Sequence, residues 1–261
     1  MGLKFKEMLA NDQLVKIFNL GRVVHPVVVD MFGLSGGYDG FWIDQEHGGL
    51  TYEQVCLAGV CARANGFDTI VRMAPTNYAL VTQNLEAGAG GVMAARIETA
   101  AQAEEFVQWA KFYPRGMRGF NTSGRDAHYT HKSLAQFAED ANREHLVSIQ
   151  IETPKSVEQV NEIAAIDGVD LLFVGPSDLS QAFGVIGQLG HDRVWEAIDR
   201  VSQACKQHGK HWGTVPAGPE FAERCVAKGC RMLSLGADTH CLRRGIEAQM
   251  NLYARFYAKE D

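Results

Sequence analysis

The 261-residue sequence predicts one (β/α)8 barrel domain spanning residues 1–261. Three observations carry that expectation. Short apolar, β-branched runs alternate with longer amphipathic stretches along the chain, and such alternation implies parallel strands joined by helical crossovers. Eight such runs fit into about 250 residues, which suits a closed barrel better than an open sheet. No Ser-, Gly- or Pro-rich linker and no low-complexity tract divides the chain.

The expected strands cover 14–19, 41–44, 69–73, 91–94, 147–151, 171–174, 211–215 and 232–235. Helical patterns cover 52–65, 78–87, 100–112, 156–165, 194–208, 219–228 and 239–257. Thr51 with Gln54 three residues on reads as a capping box. Gly66 closes the helix it follows, and Gly209 and Gly229 each sit between a helix and a strand. The longest irregular stretch is 113–130. A loop of that length in a compact domain is usually functional or packed against a neighbour.

Composition narrows the function classes. With 46% hydrophobic residues the chain can bury a core without disulfide or structural metal. Net charge is −6 and basic residues form no long run, which argues against nucleic acid or an anionic membrane as partner. The start of the chain has no apolar signal core, and no apolar run approaches the ~20 residues that span a bilayer. The cysteines Cys56, Cys61, Cys205, Cys225, Cys230 and Cys241 form no C-x-x-C pair. They are expected to be reduced, mostly structural thiols of a cytoplasmic protein.

In such a barrel, chemistry sits where strands end at their carboxyl edge. The second strand ends in Asp44 and runs into Gln45-Glu46-His47-Gly48-Gly49, and the third carries Arg72. The fifth carries Gln150 and is followed by Glu152. The sixth is followed by Gly175-Pro176-Ser177-Asp178. Each group also has a structural alternative: Glu152 as a helix cap, Asp178 as a turn residue, His47 as a loop histidine, Arg72 as an ion-pair partner. Their convergence on one rim favours the chemical readings.

Glu152 and Asp178 are suited to seat Mg2+, Mn2+ or Co2+ while leaving positions open for a 2-oxo acid. The metal then acts as a Lewis acid toward a developing enolate. Arg72 shares that charge. An Asp44–His47 pair serves as general base. The amides of Ser177 and Asp178, with Gln150, are candidates to hold the substrate. A Schiff-base route needs a lysine, but only Lys16 lies on an expected strand and Lys155 starts a helix, neither beside the carboxylates. A phosphate-binding barrel would want a glycine-rich loop late in the chain, for which Ala217-Gly218-Pro219 and Gly236-Ala237 are thin candidates.

Several segments carry a resemblance: Asp44-Gln45-Glu46-His47-Gly48, Glu86-Ala87-Gly88-Ala89-Gly90-Gly91-Val92-Met93, Tyr113-Pro114-Arg115-Gly116-Met117-Arg118-Gly119, Gln150-Ile151-Glu152-Thr153 and Val174-Gly175-Pro176-Ser177-Asp178-Leu179-Ser180. Over about residues 5–255, in order, they resemble the HpcH/HpaI aldolases, class II pyruvate aldolases of 2-keto-3-deoxy sugar acids and 4-hydroxy-2-oxo diacids. The resemblance implies reversible cleavage of a 4-hydroxy-2-oxo acid to pyruvate and an aldehyde. It implies metal ligands Glu152 and Asp178 with Gln150 beside them, Arg72 on the enolate, and His47 paired with Asp44 as acid/base. It also implies a homo-oligomer, hexamer or trimer, exchanging a C-terminal helix between neighbours. Two segments depart from the family pattern. Ala94-Ala95-Arg96-Ile97 replaces the common Val-Pro-Met-Val, and the loop from Gly119 to Asp126 is different. The acceptor side of the pocket is therefore expected to be altered. Arg96 would either bind an acidic acceptor or pair with Glu98 or a neighbouring subunit. A related enolate reaction, oxaloacetate decarboxylation, is the alternative.

Overall fold

The structure, a computed structural model, describes residues 4–257. Eight parallel strands close in sequence order: β1 (Val15–Leu20), β2 (Gly40–Asp44), β3 (Asp68–Met73), β4 (Gly91–Ala94), β5 (Leu146–Ile151), β6 (Leu171–Val174), β7 (His211–Thr214) and β8 (Met232–Ala237), with β8 pairing back onto β1. The helices are α1 (Phe5–Ala10), α2 (Pro26–Ser35), α3 (Tyr52–Ala64), α4 (Tyr78–Glu86), α5 (Ala100–Ala110), α6 (Leu134–Glu144), α7 (Pro154–Glu158), α8 (Val160–Ala165), α9 (Pro176–Ala182), α10 (Asp192–His208), α11 (Pro219–Ala227), α12 (Asp238–Leu252) and α13 (Ala254–Tyr257).

Register decides which side chains share a level of the barrel. Asp44 lies opposite Arg72, Arg72 opposite Met93, and Gln150 opposite Phe173. The barrel interior is filled by Ile17, Trp42, Ile70, Met93, Leu171, Phe173 and Met232. Phe5 and Leu9 of α1 close the amino end. The Phe5 amide donates to Asp68 Oδ2 at 2.9 Å, fixing α1 to the start of β3. Gly40 permits this closure, since a Cβ there would lie 2.5 Å from the Phe5 ring and 2.0 Å from the Asp68 carbonyl oxygen.

The expected strands all form, with ends shifted by no more than two residues. The capping box of Thr51 and Gln54 is present, and Gly209 ends α10 in the left-handed conformation. The expected helix 156–165 is two helices meeting at Gln159, and α1, α2, α6 and α9 arise where no helix was expected. The Gly-Pro-Ser-Asp segment after β6, for which a turn was the structural alternative, leads into the first turn of α9, with Pro176 at its start, where a missing N–H costs nothing.

The expected C-terminal helix breaks at Tyr253 into α12 and α13. Within α12 only Asp238 is buried. Leu242, Ile246 and Met250, spaced by four, stand exposed with Leu252, Tyr253 and Phe256. The helix does not fold back over the β8–β1 seam. A groove of about 510 Å3 lined by Phe18, Val28, Met31, Phe32, Tyr38 and Leu242 is left beside it. No helix among the described residues is long and apolar enough to cross a membrane.

The long loop after α5 is internally packed. The buried Arg118 pairs with Asp126 at 2.5 Å and lies over the rings of Phe112 and Phe137. Phe120 stacks on Phe112 with ring centroids 4.5 Å apart.

Candidate active site

The carboxyl ends of β2, β3 and β5 bring together a buried polar chain. Arg72 on β3 donates from Nε to Asp44 Oδ1 (3.1 Å) and from Nη2 to Asp44 Oδ2 (2.7 Å). Its Nη1 reaches Gln150 Oε1 at 3.4 Å and lies 3.1 Å from Glu46 Oε2. Gln150 Nε2 donates to Glu152 Oε2 at 2.5 Å. The guanidinium lies 4.4 Å over the Trp42 ring, which closes it from below. Asp44, Arg72, Gln150 and Glu152 are all buried. A bidentate pair across two adjacent parallel strands fixes a guanidinium in one plane, which a lysine ammonium cannot match.

Glu152 is the most perturbed group of the cluster. Burial raises its carboxyl above the usual range, and the charges of Asp178 and Glu46 push the same way. The Arg96 amide, donating to Glu152 Oε1 at 2.6 Å, and the Arg72 charge oppose the rise. Arg96 adopts a left-handed backbone (φ 57°), a conformation costly for a non-glycine residue. Its amide is thereby aimed at the carboxylate. Gly175 lets β6 approach, since a Cβ there would sit 3.0 Å from Glu152 Cβ and 3.1 Å from Gln150 Nε2. Asp178 and Ser177 lie exposed in the first turn of α9.

His47 is placed differently from expectation. Asp44 Oδ1 accepts the backbone amides of Glu46 (3.0 Å) and His47 (3.3 Å), while both Asp44 oxygens are held by Arg72. No Asp44–imidazole pair forms. The His47 side chain is 68% exposed, with Nε2 3.8 Å from Glu46 Oε2. Register explains this: Arg72 faces Asp44 directly and takes the carboxylate first. Glu46 Oε2 is buried without a hydrogen-bond partner. Its nearest cation is Arg72, at a distance without hydrogen-bond geometry.

Three further residues near this rim receive no role from the sequence. Trp42 reads only as core, and Glu46 is signalled by its position next to His47. Arg22 follows β1, where the amides of Gly21, Arg22 and Val23 all donate to Asp238 Oδ2 at 2.7–3.0 Å. Its Nη1 donates to the Gly48 carbonyl at 3.2 Å, next to His47. The Arg96 side chain makes no ion pair with Glu98, the one of its expected partners that lies in this chain. Glu98 pairs with Lys155 instead, and the Arg96 side chain lines a cleft with Gln102, Glu105 and Trp109.

The metal question turns on Glu46, Glu152 and Asp178. The charges of Glu46 and Asp178 both help push the Glu152 carboxyl up, yet among the described residues no three acidic, histidine or cysteine side chains converge as a ready metal cage. The donors themselves are carboxylate oxygens, including one buried atom without a hydrogen bond, which is the chemistry a hard divalent cation takes.

Comparison with known proteins agrees with this architecture. The HpcH/HpaI aldolase/citrate lyase family matches residues 25–245. A hydroxypyruvate/pyruvate aldolase of Delftia acidovorans is 32% identical over 217 residues, 83% of this chain and 80% of the relative. A 5-keto-4-deoxy-D-glucarate aldolase of Klebsiella pneumoniae is 30% identical over 241 residues, covering 92% of each. The structure of an HpcH/HpaI aldolase from Desulfitobacterium hafniense superposes with a TM-score of 0.90 at 28% identity, covering 97% of both chains. That of the citrate synthase SbnG superposes at 0.87 and 25% identity, covering 98% of this chain and 99% of the other. The chain is an enzyme of the HpcH/HpaI aldolase/citrate lyase family.

Proposed function

We propose that this enzyme is a divalent-metal-dependent aldolase that reversibly cleaves a 4-hydroxy-2-oxo acid to pyruvate and an aldehyde. The observation that carries the reading is the buried Arg72, held rigid by Asp44 with its remaining nitrogen directed along Gln150 toward Glu152. Glu152 and Asp178 would hold Mg2+, Mn2+ or Co2+. Such an ion, when bound, supplies Lewis acidity toward the 2-oxo group.

The rest is the work of the chain. His47, at the open rim, takes the proton of the C4 hydroxyl. The C3–C4 bond then breaks, its electron pair passes into the 2-oxo group, and the aldehyde departs. Arg72 stabilises the enolate left behind, being preorganised so that nothing reorients as charge develops. Protonation at C3 completes pyruvate. Gln150 and the amides of Ser177 and Asp178 orient the 2-oxo acid. Arg22 places a guanidinium beside His47, where the far carboxylate of an acidic acceptor would lie. Arg96 acts through its main chain, by holding Glu152.

The relatives' names and the citrate synthase likeness both support enolate chemistry on this scaffold. The deciding experiment is hydrogen–deuterium exchange at the methyl group of pyruvate, followed by NMR. Exchange should vanish with a strong chelator and return with Mg2+, Mn2+ or Co2+. Full exchange after rigorous metal removal, with inactivation by borohydride plus pyruvate, would indicate a Schiff base instead.

Assembly belongs to the same proposal. The stripe Leu242, Ile246 and Met250 is exposed, and Leu242 also edges the apolar groove by Phe18, Met31 and Phe32. Exchange of α12 between copies would satisfy both, giving a trimer or hexamer.

A further inference from the structure

A second built site lies at the amino end of the barrel, opposite the polar chain around Arg72. The end of α3, the turn before β4, the loop around Arg125 and the end of α6 enclose a cavity of about 450 Å3, a size suited to a small molecule. Its wall carries an unusual charge arrangement. Each acidic group there already has a cation, Arg143 being shared by two of them. Asp140 is bonded by Lys132 (2.8 Å) and Arg143 (2.5 Å), Glu144 by Arg143 (2.9 Å), Asp126 by Arg118 (2.5 Å), and Asp68 by Lys4 (3.7 Å). Arg63 and Arg125 are left over. Among the described residues neither has a carboxylate within 4.0 Å.

These two arginines are neighbours. Gly88, at φ +98°, separates them: a Cβ there would lie 2.6 Å from Arg63 Nη1 and 2.8 Å from Arg125 Cγ. Arg63 Nη1 donates to the Gly88 carbonyl at 3.1 Å, its one hydrogen bond among the described residues. Both side chains are half-buried. Burial and then the charge of Arg125 push the Arg63 guanidinium below its ordinary range. The loop that carries Arg125 continues through His128, Tyr129 and Thr130, all left-handed at φ 53°, 53° and 74°. Three such residues in succession are strained, and the first of them, His128, lines the cavity. Bringing two half-desolvated like charges together is unfavourable, and Asp68, the carboxylate that acts on Arg63 from beyond 4.0 Å, offsets only part of it. A counter-charge from outside the chain relieves it.

We propose that this cavity binds a small dianion through an oxyanion group, phosphate or carboxylate, held between Arg63 and Arg125. Arginine forks match both groups in bidentate fashion. The site shares no residue with the catalytic network, and the proposal stands independently of the aldolase reading.

The test uses the full-length protein in an anion-poor chloride buffer, titrated by calorimetry and by thermal melting with inorganic phosphate and, separately, succinate. At least one should bind saturably at about millimolar concentration or below and raise Tm, and which one binds names the class. Arg63→Gln and Arg125→Gln should each weaken that binding about tenfold or more. In the chloride buffer without added phosphate or succinate each should leave Tm unchanged or raise it, since repulsion is removed. Arg72→Lys, at the other end of the barrel, should leave the binding intact. The proposal fails if neither anion binds, or if binding persists in both arginine variants but is lost in Arg72→Lys. It also fails if both arginine variants lower the Tm without added phosphate or succinate, which would make the pair structural. A change of oligomer mass in the variants without an anion effect would mean that another copy fills the cavity, and would overturn the proposal as well.

Discussion

Arg72 and Asp44 form a bidentate pair across β2 and β3, with both carboxylate oxygens engaged at 3.1 and 2.7 Å and both residues buried. The pair orients the guanidinium more than it adds stability, because desolvation offsets much of the attraction between buried ions. Arg72→Lys should therefore lose about 3–4 kcal/mol of transition-state stabilisation, as for a lost oxyanion donor. Asp44→Asn, which keeps shape but frees the fork, should lower kcat more than it raises KM. Methyl-proton exchange of pyruvate measures both. Wild-type exchange in Arg72→Lys would remove Arg72 from the enolate step.

His47 touches no carboxylate closely and is open to solvent, so its removal should not disturb the buried chain. His47→Ala should slow retro-aldol cleavage by about 10²- to 10⁴-fold. It should spare decarboxylation of oxaloacetate, because that reaction makes the same enolate without deprotonating a hydroxyl. Parallel rates on both substrates separate the two chemistries. Equal loss on both would show that His47 acts on the enolate itself.

Arg22, bonded to the Gly48 carbonyl beside His47, is an exposed cation at the rim. Arg22→Met should raise KM for a carboxylated aldehyde by about tenfold while sparing glycolaldehyde. Arg96→Met, whose main-chain bond to Glu152 survives the substitution, should affect both acceptors little. Steady-state kinetics on the two aldehydes decides between the arginines, and the reverse pattern would move the acceptor site to Arg96.

The exposed stripe on α12 predicts an assembly. Wild-type protein should run as a trimer or hexamer by light scattering, and Leu242→Glu with Ile246→Glu should give smaller species of lower Tm. A monomeric wild type would sink helix exchange.

His145 sets an acid limit on stability. Burial first, then the charges of Arg118 and Lys111, hold its imidazole well below its ordinary range. Arg118 Nη1 reaches its Nδ1 at 3.4 Å, a contact that a neutral ring can accept. The folded pKa is depressed, so the unfolded chain binds the extra proton as pH falls below the ordinary value of 6.5. Stability is full above that pH and declines below it by about 1.4 kcal/mol per pH unit. His145→Gln, which keeps an acceptor, should flatten this part of the curve. Denaturant melts from pH 7.5 to 5 give the difference, and parallel curves would show that His145 is protonated in the fold.

Barrel order, the eight strands and the placement of Asp44, Arg72, Gln150, Glu152 and Asp178 at strand ends were legible in the sequence, because period, length and capping residues are local properties. Helix α2 was not. Its run Pro26-Val27-Val28-Val29 is β-branched and favours a strand locally, and it is helical because Phe32 packs on Phe18 and Phe41. Tertiary structure alone decided who pairs with whom. Parallel register set Arg72 opposite Asp44 and so withdrew Asp44 from His47. The left-handed turn at Arg96 gave its amide, and not its guanidinium, to Glu152. Arg63 and Arg125, 62 positions apart, met over Gly88 only when the loop closed. Sequence spacing fixes the face and the end of an element on which a charge sits. Which opposite charge reaches it first depends on distances across strands and loops that no local pattern encodes.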